Sequence, residues 1–212
     1  MRITAPLRLE PVALSLTVAI LIAWCLSALV LEQPLMASQK SRLLMELGAA
    51  NGDIIRTHEW WRILSSQFLH VHFLHMLFNA TCILIIGSFI ESRHGWPVLL
   101  PLYVVGGCIG QAASVLSYPD LVSSGASQAL MALCGAALVT VSRRYPRMFV
   151  VIVAGIQVAL DLYLAHGIKA GHGVGFIAGL LMGAIVLMLG RSRATHSEPK
   201  KSMQPTCEDA RG

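Results

Sequence analysis

Long apolar runs without a charged side chain dominate this chain. They cover residues 11–31, 63–90, 94–119, 121–142 and 170–190, with a shorter one at 148–160. A helix needs about 20 apolar residues to cross the hydrocarbon core of a bilayer. The pattern therefore predicts six spans, at roughly 12–31, 73–90, 97–117, 125–141, 147–165 and 170–190. The fifth is interrupted by Asp161, so its purely apolar part covers only about 20 Å at 1.5 Å per residue. The first is too long for a signal-peptide core and no clear small-residue cleavage site follows it. Residues 32–72 form a long first loop of mixed charge that ends in the amphiphilic stretch EWWRILSSQFLHVH. There Trp60 and Trp61 suit a membrane–water interface, and Arg62 is placed to snorkel or to pair nearby. The expected organisation is a short head (1–11), one membrane domain (12–190) and a polar, disordered tail (191–212), with no internal repeat.

Composition agrees with this pattern. Hydrophobic residues make up 55% of the 212 and charged residues 13%, against about 25% charged in an average soluble domain. A disordered chain is excluded and an ordinary soluble enzyme is disfavoured. The fold class that follows is an all-α, six-span membrane protein in contact with the lipid bilayer. The net charge is +5, and the cations are unevenly placed. Eleven of the sixteen Lys and Arg (Arg2, Arg8, Arg93, Arg143, Arg144, Arg147, Arg191, Arg193, Lys200, Lys201 and Arg211) flank the spans on the side of the two termini. The positive-inside rule then puts both termini in the cytoplasm, as expected of a multi-pass protein of the cell (inner) membrane. Of five Cys, four (Cys25, Cys82, Cys108, Cys134) fall inside spans and none shows CxxC spacing. They read as packing residues, with no disulfide framework and no metal site. No cofactor and no nucleic-acid partner is expected, and the oligomeric state is not legible.

Polar side chains are costly in hydrocarbon, which makes the few present informative. They are His75 and Asn79 in span 2, Gln111 in span 3, Ser127 and Gln128 in span 4, Gln157 and Asp161 in span 5, and His172 in span 6. With the orientation above, His75, Ser127 and His172 all lie within about one turn of the outer end of their spans, and Asn79 sits one turn deeper on the same face as His75. A serine hydroxyl becomes a nucleophile when a base takes its proton, and a neutral His is the usual base near neutral pH. His75, the Asn79 amide and the Ser127 N–H are candidate donors to the oxyanion of a tetrahedral intermediate. Gly171, Gly175, Gly179 and Gly183 form a stripe on span 6 that lets another backbone approach closely, and span 4, rich in Gly and Ala from Gly125 onward, is a plausible partner.

Taken singly, each feature has an ordinary explanation. A membrane Ser commonly bonds back to its own helix, a His near a helix end is commonly an interface residue, and a glycine stripe is commonly packing. His70, His72 and His75 lack a companion carboxylate or Cys for a metal site. Asp161 reads either as a residue orienting a His or, more simply, as a charge at a watery end of span 5. Glu91 reads as a helix-end charge near Arg93. His58, His94, His166 and His196 read as surface residues.

At these positions the chain resembles the rhomboid family of intramembrane serine proteases, over about 58–190. HEWWRILSSQFLHVHFLHMLFN resembles the family's first-loop WR motif (Trp61, Arg62) followed by the HxxxN of its second span (His75, Asn79). Glu91 resembles the acid that the family often carries at the far end of that span. GASQ at 125–128 resembles GxSG, with Gly125 and the nucleophile Ser127, and GHGVGFIAG resembles HxxGxxxG, with His172, Gly175 and Gly179. The resemblance implies a six-helix core and a Ser127–His172 dyad that needs no Asp. It also implies cleavage of single-pass membrane proteins near the outer face, at small residues followed by helix-breaking ones, with span 5 gating access. Two positions depart from the pattern. Gln128 stands where the family has Gly, and Met131 where many members have an aromatic against the catalytic His. They keep open a second reading, a rhomboid-like protein that binds membrane helices without cleaving them. A third reading, a small transporter built on the polar cluster, stays open as well.

Overall fold

The computed structural model of the chain describes residues 8–165 and 167–196. These form α1 (Pro11–Val30), α2 (Ser41–Leu44), α3 (Ile54–Thr57), α4 (Arg62–Ser65), α5 (Phe73–His94), α6 (Trp96–Ser117), α7 (Ser127–Thr140), α8 (Arg144–Ala165) and α9 (Ala170–His196). Among the described residues there is no strand, only a single bridge between Ala50 and Ser123. α1, α5, α6, α8 and α9 are long and apolar enough to cross a membrane. The chain is an integral membrane protein with a helical-bundle fold. α9 continues past the expected boundary at 190 to His196. His166, the first residues of the head and tail residues 197–212 lie outside the described residues.

α7 is the exception in length. It has 14 residues, about 21 Å at 1.5 Å per residue, and begins at Ser127 itself rather than at 125. Eleven consecutive residues, Ser127 to Ala137, are buried. A helix surrounded by protein has no lipid thickness to match, so the shortness carries no penalty. Small residues make the enclosure possible. A Cβ added at Gly175 would stand 2.7 Å from the Gln128 carbonyl oxygen, and one at Gly183 3.0 Å from Ala136 Cα. Gly179 lies closer still against the Ala132 carbonyl, and Gly106 on α6 faces the Ala132 methyl. The stripe on α9 therefore packs on α7, backbone against backbone.

α1 leans on α5 and carries a surprise at its start. Pro11 opens the helix, where its missing N–H costs nothing. The free amides that follow are capped from another helix: Glu91 accepts from Val12 N–H (3.1 Å) and Ala13 N–H (2.8 Å), and Ser88 Oγ accepts from Glu10 N–H (3.2 Å). Glu91, at the end of α5 near Arg93, is thus buried and caps α1. Trp24, Ile83, Ile86, Tyr103 and Leu130 fill the interior, while Leu29, Leu74, Leu181 and Met188 point outward as lipid-facing residues do.

Candidate active site

The turn that leads into Ser127 is built by two segments far apart in sequence. Residues 118–126 descend from α6 to α7 and are stitched to the long first loop. Ala50 and Ser123 exchange backbone bonds (3.1 and 2.7 Å), Gly52 N–H donates to Pro119 O (2.8 Å), and Gly125 N–H donates to Ser66 O (2.9 Å). The first loop is itself held by Arg62, whose guanidinium donates to the Met45 and Ala49 carbonyls and to Glu59 and lies 4.7 Å from the Trp61 ring centroid. That hydrogen bond holds the Glu59 carboxyl below the usual carboxylate range. Trp61 in turn packs on Gly48, whose φ of +106° and lack of a side chain suit the close approach. Trp61 and Arg62 therefore support the loop that braces the turn before Ser127.

His70, which the sequence offered only as one of three histidines without metal partners, is central to this brace. Its Nε2 accepts from Ala126 N–H and from the Asn79 amide, both at 3.1 Å, which leaves the proton on Nδ1 to donate to Phe68 O (3.3 Å). Burial, followed by the neighbouring His75, pushes the imidazole down to about 3 from its ordinary 6.5. The folded chain keeps His70 neutral over that interval while an unfolded chain protonates it. Stability therefore falls as pH drops below about 6.5, by at most about 1.4 kcal/mol per pH unit from this residue, with no slope from it above that. Denaturant unfolding in micelles checks this: the slope between pH 6.5 and 5 is expected to be shallower in His70→Asn than in wild type.

Ser127 is the first residue of α7 and His172 lies in the first turn of α9. Their separation is 2.8 Å from Ser127 Oγ to His172 Nε2, with both residues buried. On its other side His172 Nδ1 lies 2.7 Å from Asp161 Oδ2, which also accepts from Lys169 N–H (3.1 Å). Asp161 is 1% exposed, so the reading of a solvated charge at the end of span 5 is corrected. The reason is tertiary: the α8–α9 turn folds the carboxylate back onto the ring.

The oxyanion candidates divide. Ser127, Gln128 and Ala129 occupy the first turn of α7, where N–H groups have no intrahelical acceptor and the helix dipole favours negative charge. Gly125 has φ +132°. A Cβ added there would stand 3.6 Å from Ser127 Oγ and 3.8 Å from His75 Nε2, so the hydroxyl and the His75 ring flank one open point. Asn79 is fully buried and gives one N–H to His70. The amide keeps a second N–H.

Gln128 finds room because its neighbours have none of their own. Cβ atoms at Gly110 and Gly171 would stand 2.9 Å from Gln128 Cβ and 3.2 Å from its Cγ. Its amide lies 3.2 Å from Ser127 Oγ and 3.3 Å from Ser114 Oγ. One hydroxyl proton cannot serve both His172 and Gln128. With the amide turned over, Ser114 donates to Oε1, Nε2–H donates to Ser127 Oγ, and the Ser127 proton is left for His172. Met131 is buried one turn further along α7.

The Rhomboid domain family model matches residues 57–189, well over half of the chain. The chain belongs to the rhomboid family. RHOMBOID-like protein 7 of Arabidopsis thaliana is 29% identical over 165 residues, covering 74% of this chain and 52% of the relative. Rhomboid protease GluP of Bacillus subtilis is 29% identical over 155 residues, covering 69% and 30%. Rhomboid-like protease 3 of Toxoplasma gondii is 31% identical over 154 residues, covering 66% and 57%. The chain spans between about a third and somewhat more than half the length of these curated relatives. Two of these relatives carry protease names and the third is named only as rhomboid-like.

Proposed function

We propose that this rhomboid protein is an intramembrane serine endopeptidase. Ser127 attacks the scissile carbonyl while His172 Nε2 takes its proton and later returns it to the leaving amine, and water then releases the acyl group by the same route. The Ser127 N–H, His75 and the free N–H of Asn79 hold the oxyanion. The observation that carries this reading is the 2.8 Å approach of Ser127 Oγ to His172 Nε2. It favours cleavage over helix binding without cleavage, because Gln128 lies beside the pair rather than between its members. The substrates proposed are single-pass membrane proteins, cut near the outer face, with both termini of this chain in the cytoplasm of a cell-membrane protein. An apolar cleft of about 400 Å³ between α5 and α8, lined by Leu77, Phe78, Ile85, Phe149 and Ile152, offers a place for a substrate helix.

Reconstituted in proteoliposomes, the wild-type chain is expected to cleave a single-span test substrate that carries small residues and then a helix breaker near one membrane face. Mass spectrometry of the products locates the cut. Retained capture of the substrate helix without any cut supports the non-cleaving reading instead.

A further inference from the structure

The rhomboid resemblance implies a serine–histidine pair that works without an acid, yet this chain buries one against the histidine. Asp161 stands on α8, 1% exposed, with Oδ2 at 2.7 Å from His172 Nδ1. A carboxylate in a membrane bundle is expensive unless its charge is matched by donors. Here the donors are the His172 ring and the Lys169 backbone N–H, on the same oxygen. The backbone bond gives the carboxylate a second donor besides the ring. A carboxylate at Nδ1 requires the proton there. Nε2 then carries a lone pair facing Ser127 Oγ at 2.8 Å, the state a general base needs.

We propose that Asp161 is a positioning residue for the reaction: it holds His172 in the Nδ1–H tautomer with Nε2 toward Ser127, and its negative charge stabilises the imidazolium formed when His172 takes the serine proton. Asp161 itself stays ionised and touches no substrate. The inference rests on the Ser127–His172 reading of the site. It adds that α8 supplies a third, positioning member of the site, from an element that contributes neither nucleophile nor base.

The experiment compares wild type, Asp161→Asn and Asp161→Glu in proteoliposomes with the single-span test substrate. Asp161→Asn is expected to lower kcat on the order of 10²–10⁴-fold with KM changed by less than about twofold. Asp161→Glu, which keeps the charge on a longer stem, is expected to recover part of the rate. In ¹⁵N-labelled wild-type protein, the His172 ring should show a proton on Nδ1 with a strongly downfield resonance, absent in Asp161→Asn. A merely structural tie between α8 and α9 lowers the unfolding temperature without separating kcat from KM, and Asn then substitutes better than Glu. That pattern, a rate for Asp161→Asn within about twofold of wild type, or a wild-type His172 protonated on Nε2 overturns the proposal. The tautomer is read on the wild-type chain alone, so poor folding of a variant does not block the test. Fluorophosphonate labelling of the same samples separates the two levels. No label on wild-type Ser127 overturns the protease reading along with this one, whereas normal labelling with an unchanged Asp161→Asn rate overturns only the role of Asp161.

Discussion

Ser127→Ala and His172→Ala are each expected to reduce proteolysis of a membrane-embedded substrate on the order of 10⁴–10⁶-fold. The magnitude follows from the proposed roles. Removing the hydroxyl removes the bond-forming atom, and removing the imidazole leaves a serine whose proton has no acceptor. The two side chains lie 2.8 Å apart, and in the proposed mechanism they act as one unit. The double variant is therefore expected to be no worse than either single one, because the second deletion removes a group that has already lost its function. Folding should survive both changes. Ser127 sits at a helix start and His172 in a first turn, and the α7–α9 packing depends on the glycine stripe rather than on either side chain. Product quantification by gel, with unfolding temperature measured on the same preparations, checks both halves of the expectation. Independent losses that multiply in the double variant would indicate that the residues do not share a step.

Gly125→Val is expected to lower kcat/KM by about 10²-fold or more, by obstruction and strain together. The residue sits at φ +132°, where a β-branched side chain is forced into a conformation it rarely adopts, at a cost of about 1–3 kcal/mol. The new atoms would enter the point flanked by Ser127 Oγ and His75 Nε2. With the substrate carbonyl oxygen proposed to settle at that point, the variant excludes the substrate even though Ser127 and His172 are intact. Gly155→Val serves as the control, because nothing lies within 4 Å of a Cβ at that position on α8. It should cleave at the wild-type rate. Equal activities for the two variants would place the oxyanion elsewhere.

The membrane domain was legible because charge is absent from it in long blocks, and lipid imposes that pattern on any spanning helix. The exception is α7, whose burial releases it from the length rule that lipid-facing helices obey. Ser127, His75 and His172 were legible as candidates because a polar group in hydrocarbon needs a reason. What escaped were the long-range partners. The bond from His70 to the Ala126 N–H spans 56 residues, Glu91 reaches amides 78 and 79 residues away, and Arg62 finds carbonyls 13 and 17 residues back. Each depends on which loop folds over which helix end, and no periodicity within one element encodes that. Asp161 lay between the two cases. Its place in span 5 was readable, but its burial and its choice of His172 over water depend on how the start of α9 packs against α8. Gln128 shows the same dependence: the sequence presents a bulky amide beside Ser127, while Gly110 and Gly171 on two other helices supply the space that receives it.

The most direct measurement is the site of covalent capture by a fluorophosphonate, read by intact mass and peptide mapping on the protein in micelles. One adduct per chain, located on Ser127, lost in Ser127→Ala and slowed at least about 10³-fold in His172→Ala, is the expected result. Labelling that maps to another serine, or that proceeds on Ser127 at an unchanged rate without His172, would contradict the assignment of this pair as nucleophile and base.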